Sequence, residues 1–203
     1  VTEAGSSVAM ETLGLERCLD LLESYGLKIE LLATDRHVGI QAMLKRSYPE
    51  IEHQFDVWHL AKNVGKRLRQ KASKHGAEKL MPWIKSVTNH LYWSSQSCHE
   101  DPELLKEKWM SCCNHIANRH SWNGCKMTRC EHGPIADDDK TAWLKMDSPA
   151  HTALKAVVLD KRILADISKL SKFCHTGSLE NYHSMLLKYA PKRQHFAHQG
   201  MLT

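Results

Sequence analysis

The chain has 203 residues, of which 42% are apolar and 25% are charged, and its formal net charge is +5 with histidine neutral. This composition is typical of a soluble globular protein with one substantial core, and it excludes a disordered or low-complexity chain. No run approaches the roughly 20 consecutive apolar residues that span a bilayer, and no secretory leader begins the sequence, so we expect a nuclear or cytoplasmic protein.

The first predicted element is a helix over residues 7–25, and a strand follows it. Gly26 is a suitable C-terminal stop for the helix, and the apolar run over residues 27–34 predicts a buried strand. Asp35 comes directly after that strand, where it could also cap the next helix. The helical spacing of the first element comes from four residues, Leu15, Cys18, Leu19 and Leu22.

A second helix and a second strand are predicted after Asp35. Pro49 ends the helix, and residues 51–57 alternate with the period of two that a strand has. A helix between two strands favours a crossover to a parallel neighbour. Asp56 lies near the end of the second strand, and the pattern becomes helical again from His59 onward.

The helix that begins near His59 combines an apolar side with a basic side. Such a pattern usually marks a solvated helix face, and the alternative is a contact with phosphate groups. A second basic pair follows Pro191 near the end of the sequence. The candidate phosphate-binding residues, for which the family resemblance described below implies DNA as the partner, are Lys62, Lys66, Arg69, Lys192 and Arg193.

Residues 76–170 are predicted to be mainly helical, with cap-then-proline helix starts at residues 101–102 and 148–149. Residues 123–139 between them form a predicted loop rich in Cys and His. Seven cysteines in an odd count, two of them adjacent, favour free thiols or metal ligands over disulfides. Structural Zn²⁺ takes four Cys or His ligands, and the alternative is packed or free thiols with solvated histidines. The candidate zinc ligands are Cys98, Cys125, Cys130 and His132, and further candidates nearby are Cys112, Cys113, His115 and His120.

Glu180 lies in the first turn of the last predicted helix, for which Ser178 is a plausible cap. A carboxylate at the end of a strand and another on a packed helix can meet to hold a divalent metal, so Asp35 and Glu180 are candidate Mg²⁺ or Mn²⁺ ligands. The packing side of the helix is predicted to carry Leu179, Tyr182, Leu186 and Tyr189.

Five short sequence motifs follow one another along the chain in a recognisable order: 34–37, 48–51, 55–63, 173–180 and 191–193. Together they resemble a Kolobok-like cut-and-paste transposase. In that family Asp, Asp and Glu lie on a ribonuclease H-like sheet, and an Asp-x-x-His or Cys-x-x-His pair follows the second Asp. The resemblance implies that Asp35 is the second acid, that Glu180 is the third, and that Asp56 and His59 are the pair. The family's first Asp lies upstream of the position of Val1, so we expect a fragment that is inactive alone.

The expected fold is α/β, with a partial ribonuclease H-like core of mixed sheet and flanking helices, interrupted by a large, mainly helical insertion. The expected segments are residues 1–75 and 173–203 for the core and residues 76–172 for the insertion. The resemblance implies Mg²⁺- or Mn²⁺-dependent DNA cleavage and strand transfer in the nucleus, DNA as the partner, and a homo-oligomer. The alternative is a non-catalytic DNA- or protein-binding module, either decayed or retained by a host.

Overall fold

The computed structural model describes residues 4–135 and 140–191. Two strands lie in the first third of the chain, and helices make up most of the rest. In chain order the elements are α1 (Ser7–Ser24), β1 (Leu31–Thr34), α2 (Val38–Ser47), β2 (Glu52–Phe55), α3 (Val57–Ala72), a 3₁₀ helix (Glu78–Trp83), α4 (Ile84–Gln96), α5 (Pro102–His115), α6 (Pro149–Val158), α7 (Lys161–Ile167), a second 3₁₀ helix (Ser168–Leu170) and α8 (Gly177–Leu186).

Strands β1 and β2 form a parallel pair, with Leu31 opposite Glu52 and Thr34 opposite Phe55. Helix α2 connects them, so the predicted helical crossover between parallel strands is confirmed. Within residues 4–135 and 140–191 the sheet has these two strands. The protein is therefore α/β and mainly helical, with a small parallel sheet in place of the expected mixed one.

Helices α1 and α2 build a small apolar cluster beside the sheet. Leu19 of α1 and Met43 of α2 are buried in it, and Leu32 of β1 packs against it. Tyr48 closes the end of α2, where its hydroxyl donates a hydrogen bond to the carboxylate of Asp20. This contact holds α1 against the crossover helix.

A larger hydrophobic core joins α3 to the helices that follow it. It runs from Phe55, at the end of β2, to Leu170, and it includes the buried sides of α3, α4, α5, α6 and α7. Trp109 of α5 is fully buried, and its indole nitrogen donates to the carbonyl oxygen of Val158 at 2.9 Å. Because α3 packs on α4, residues from both the first and the second expected segments share this core.

Helix α8 differs from the other helices because none of its residues is buried. The prediction of a packing side was wrong, since the four residues assigned to it are all exposed. Thr176 occupies the N-cap position instead of Ser178, and it makes no side-chain capping bond. The exposed residues are Leu179, Tyr182, Leu186 and Tyr189.

Over the described ranges, no helix has the length and apolar character needed to cross a membrane.

Candidate functional site at the carboxyl ends of the strands

Asp35 and Asp56 follow directly after residues that face each other in the sheet, Thr34 and Phe55. Both acids therefore lie at the carboxyl edge of the parallel pair, where a ligand site is commonly built in α/β proteins. The backbone N–H of Asp56 donates to the carbonyl oxygen of Thr34 at 3.0 Å, which continues the ladder to this edge.

The side chain of Asp35 is exposed, and its Oδ1 accepts a hydrogen bond from the backbone N–H of His37 at 3.1 Å. Helix α2 is capped by His37, whose Nδ1 accepts from the N–H of Ile40 at 3.2 Å. Asp35 is therefore not the helix cap. It shapes the turn before α2 and leaves its carboxylate facing solvent.

Asp56 has the opposite environment, because its carboxylate is buried with 1% of its surface exposed. Oδ1 accepts from the N–H groups of Trp58 at 2.5 Å and His59 at 3.4 Å, which caps α3. Oδ2 accepts from the backbone N–H of Thr176 at 3.0 Å and from its hydroxyl. Burial raises the pKa of Asp56, but the hydrogen bonds from Thr176 and from the helix N-terminus outweigh this and lower the pKa below its usual value.

The bonds between Asp56 and Thr176 hold the start of α8 at the same edge of the sheet. The backbone N–H of Val57 also donates to the carbonyl oxygen of Cys174 at 3.3 Å. One turn into α8, Glu180 Oε1 lies 3.6 Å from Nε2 of His59. Asp56 and His59 thus act together, since the acid fixes the segment before α8 and the imidazole contacts the predicted third acid.

The residues at this edge do not complete a magnesium site by themselves. Within the described part of the chain, the single group of three or more Cys, His, Asp or Glu side chains close enough to share an ion lies elsewhere. Asp35 and Glu180 therefore belong to no group of three or more close ligands in that part of the chain.

The exposed side of α3 carries Lys62, Lys66 and Arg69 one turn apart, beginning close to the carboxyl edge. Trp58 is 38% exposed, and Nζ of Lys62 lies 4.7 Å from the centre of its ring. None of the three basic residues forms an ion pair with a carboxylate among the described residues. The other two predicted DNA-binding residues, Lys192 and Arg193, lie outside the described residues.

The loop after α5 brings together a second group, which differs from the predicted zinc ligands. His115, His120, Cys130 and His132 each offer a ligand atom, and these atoms all lie within 4.8 Å of one another. Cys130 and His132 were predicted as ligands, and His115 and His120 were among the further candidates nearby in the sequence. Cys98 is instead buried in the core, where its thiol donates to the carbonyl oxygens of Ser95 and Ser171.

Cys125 is exposed and is also absent from this group. The two corrections have different causes: Cys98 is packed in the core, whereas Cys125 is exposed on the loop and lies outside the group. Burial and the neighbouring histidines lower the pKa of His115 to about 4, and they also lower the pKa of His120. Burial raises the pKa of the Cys130 thiol.

Two residues with a role in the candidate site were missed by sequence reasoning. Thr176 binds Asp56, and Arg36, directly after Asp35, pairs with Asp166 on α7. A Thr before a Gly is a common turn sequence and carries no signal for a partner far away in the chain.

Comparison of the chain with protein-family models, with curated proteins and with solved structures found no match.

Proposed function

We propose that the chain is part of the catalytic domain of a Kolobok-like transposase, which cleaves and transfers DNA strands with Mg²⁺ or Mn²⁺. The proposal begins from the sequence resemblance and is supported by the arrangement at the carboxyl edge of the sheet. Asp35 and Glu180 are the proposed catalytic acids. Asp56 and His59 are positioning residues.

The observation that carries the proposal is the pair of hydrogen bonds from Thr176 to the buried carboxylate of Asp56. Together with the bond from the N–H of Val57 to the carbonyl oxygen of Cys174, this contact fixes the start of α8, a helix that buries none of its own residues. With it, Glu180 lies beside His59, one helical turn from the strand end. A rigid support of this kind is what a catalytic acid needs.

The basic side of α3 supports DNA as the substrate. Lys62, Lys66 and Arg69 form a row of exposed cations that begins one turn beyond His59. Such a row neutralises backbone phosphates and would lead a duplex towards the carboxyl edge with little sequence preference. The overall charge of +5 acts in the same direction.

A test of the activity uses a longer form of the protein that supplies an acid on an additional strand. We expect this form to cleave DNA that carries the ends of the transposable element when Mn²⁺ or Mg²⁺ is added. Denaturing gels measure the cleavage. Asp35→Asn and Glu180→Gln should each reduce cleavage to background.

The matched control is Glu30→Gln, because Glu30 is an exposed acid at the amino end of β1, opposite to Asp35 along the same strand. This variant should cleave like the parent. Unchanged cleavage by Asp35→Asn or by Glu180→Gln would remove that acid from the proposed site.

A second candidate function is a binding module without catalysis, which the exposed apolar residues of α8 favour. The same experiment separates the two functions. DNA binding without cleavage by the longer form, in either metal, would support the binding module.

A further inference from the structure

Four side chains, one at the end of α5 and three in the loop after it, lie close to the spacing that one tetrahedral metal ion requires. Zn–N bonds of about 2.0–2.1 Å and Zn–S bonds of about 2.3 Å place neighbouring ligand atoms about 3.3–3.8 Å apart around a tetrahedral ion. Here Nδ1 of His115 lies 3.4 Å from Sγ of Cys130, and Nδ1 of His120 lies 3.0 Å from Nε2 of His132. All four ligand atoms lie within 4.8 Å of one another, so small side-chain rotations are sufficient.

The facing nitrogens of His120 and His132 provide a second, independent observation. Nε2 of His120 lies 2.9 Å from Oδ1 of Asn118, and Nδ1 of His132 lies 2.6 Å from the carbonyl oxygen of Gly133. Both oxygens are acceptors, so both of these ring nitrogens carry the hydrogen and donate it. In neutral rings the two facing nitrogens then have no hydrogen, and their lone pairs oppose each other across 3.0 Å. A cation between them removes this repulsion.

The same contacts have the form of outer-shell support for metal ligands. A histidine that binds a metal usually donates its other ring N–H to a carboxylate, a carbonyl or water, which fixes the tautomer and the ring orientation. His120 and His132 both do this. Between the ligands Cys130 and His132, Glu131 pairs with Nζ of the buried Lys108 on α5 at 2.6 Å, which holds the loop against that helix.

We propose that His115, His120, Cys130 and His132 bind one Zn²⁺ ion in a closed tetrahedral site that fixes the loop over residues 118–135 to the end of α5. Nitrogen and sulfur ligands select zinc over Mg²⁺ or Ca²⁺, which prefer oxygen. Four protein ligands leave no open position for water, so the site is structural. The site does not depend on the proposed DNA cleavage.

Polar contacts hold the loop to α5, because the backbone N–H groups of Lys126 and Met127 donate to Oε2 of Glu107 at 2.8 and 2.9 Å. Residues 121–130 include one buried side chain, Met127. The two sides of the loop are joined by backbone hydrogen bonds, among them the bond from the N–H of Cys130 to the carbonyl oxygen of His120 at 2.9 Å. The ring of Trp143 lies 5.6 Å from the rings of both His115 and His120. Trp143 also packs on Trp83. The zinc site would therefore connect the loop to α5 and, through these rings, to the segment before α4.

The test measures zinc bound to the purified full chain by mass spectrometry of the metal, after dialysis against metal-free buffer. We expect about one zinc per chain in the wild-type protein, and a loss of bound zinc in Cys130→Ser. The matched control is Cys125→Ser, which removes an exposed thiol of the same loop that is outside the group. It should keep its zinc. A wild-type chain that neither contains zinc nor binds added zinc would overturn the proposal.

Cobalt substitution then tests the ligand set. Co²⁺ in the same site should give the intense visible absorption of tetrahedral coordination and a thiolate-to-cobalt charge-transfer band. The charge-transfer band should disappear in Cys130→Ser and persist in Cys125→Ser. The reverse pattern, or its loss in both variants, would overturn the assignment of Cys130.

His132→Ala guards against misfolding, because His132 is exposed and its removal leaves the core intact. We expect a native circular dichroism spectrum, loss of zinc, and faster tryptic cleavage after the exposed Lys126 and Arg129. A chelator should produce the same faster cleavage in the wild-type chain. Full zinc content in His132→Ala, or cleavage that a chelator leaves unchanged, would contradict a four-ligand site that orders the loop.

Discussion

Thr176 donates two hydrogen bonds to the carboxylate of Asp56, although 120 residues separate them in the chain. The chain leaves the sheet at the end of β2, passes through helices α3 to α7, and is tied back to the same edge of the sheet by this contact. The buried acid therefore has two structural roles: it caps α3, and it fixes the segment that leads into α8.

The double role of Asp56 predicts a large loss of stability on its removal. Asp56→Ala removes a helix cap and two bonds to a buried charged acceptor, so we expect the free energy of unfolding to fall by about 2–4 kcal/mol. Thr176→Val should cost about 1–2 kcal/mol because it removes the hydroxyl alone. Urea unfolding followed by circular dichroism measures both.

Ser148→Ala is the control for Asp56→Ala, since Ser148 caps α6 through the N–H of His151 and makes no long-range bond of this kind. Its loss should be about 1 kcal/mol. Equal losses for the two variants would show that the bonds to Thr176 add no stability.

The ion pair between Arg67 on α3 and Asp160 at the start of α7 predicts a pH-dependent contribution to stability. Their side-chain atoms lie 2.8 Å apart, and the hydrogen bond from Arg67 is the main cause that lowers the pKa of Asp160 to about 2. A lowered pKa in the folded state means that the contribution is complete above the unfolded pKa of about 4 and is lost as the pH falls through about 2.

Arg67→Met should therefore reduce the free energy of unfolding by roughly 1 kcal/mol near pH 6, after allowance for solvent screening of this partly exposed pair. The difference from the wild-type chain should shrink towards pH 2. Urea titrations at both pH values measure it. A difference that stays constant with pH would show that Arg67 acts through its aliphatic packing.

The basic side of α3 predicts the salt dependence of the proposed DNA binding. Replacing Lys62, Lys66 and Arg69 with Ala should weaken binding to DNA of any sequence. It should also lower the slope of log K against log salt concentration by about 0.9 for each phosphate that is no longer neutralised, or about 2.7 in total. Fluorescence anisotropy with a labelled duplex measures both quantities.

The control variant carries the same change of charge at exposed lysines on other elements, Lys79, Lys85 and Lys161, each replaced with Ala. Its slope should stay close to that of the wild-type chain. If both triple variants lose the same affinity, binding follows the net charge of the chain and has no preference for α3.

The contact between Asn118 and His120 predicts an outer-shell effect on zinc affinity. Asn118 has a backbone φ of 55°, so Asn118→Gly removes the amide without straining the turn. We expect zinc to bind about 10- to 100-fold more weakly, measured by competition with a chelator. Asn123→Gly, in the exposed part of the same loop, should change the affinity little. Equal effects would point to loop flexibility as the cause.

Local signals in the sequence predicted most of the elements correctly. Asp101 and Ser148, each followed by proline, cap α5 and α6 as expected, because capping depends on residues within one helical turn. The parallel strand pair was also predicted, since the helix between two apolar runs leaves few other arrangements.

Features that depend on residues distant in the chain could not be predicted in the same way. The apolar residues of α8 have helical spacing whether or not a partner covers them, so Leu179 and Tyr182 gave no sign that they are exposed. In the proposed metal-binding group, His115 ends α5 and His120 follows the turn at Asn118. Their approach to Cys130 and His132 depends on that turn and on the bond between Glu131 and Lys108.

Helix α3 carries Asp56 at its cap, His59 in its first turn and the row of cations on its exposed side, while Leu60, Val64 and Leu68 are buried on the other side. The angular phase of the cations around the helix axis is therefore set by the core. One residue inserted after His59 would rotate everything beyond it by about 100°, turning apolar side chains to solvent and the cations away from the strand ends. Insertions or deletions in this segment would therefore destabilise the fold, whether or not the chain binds nucleic acid.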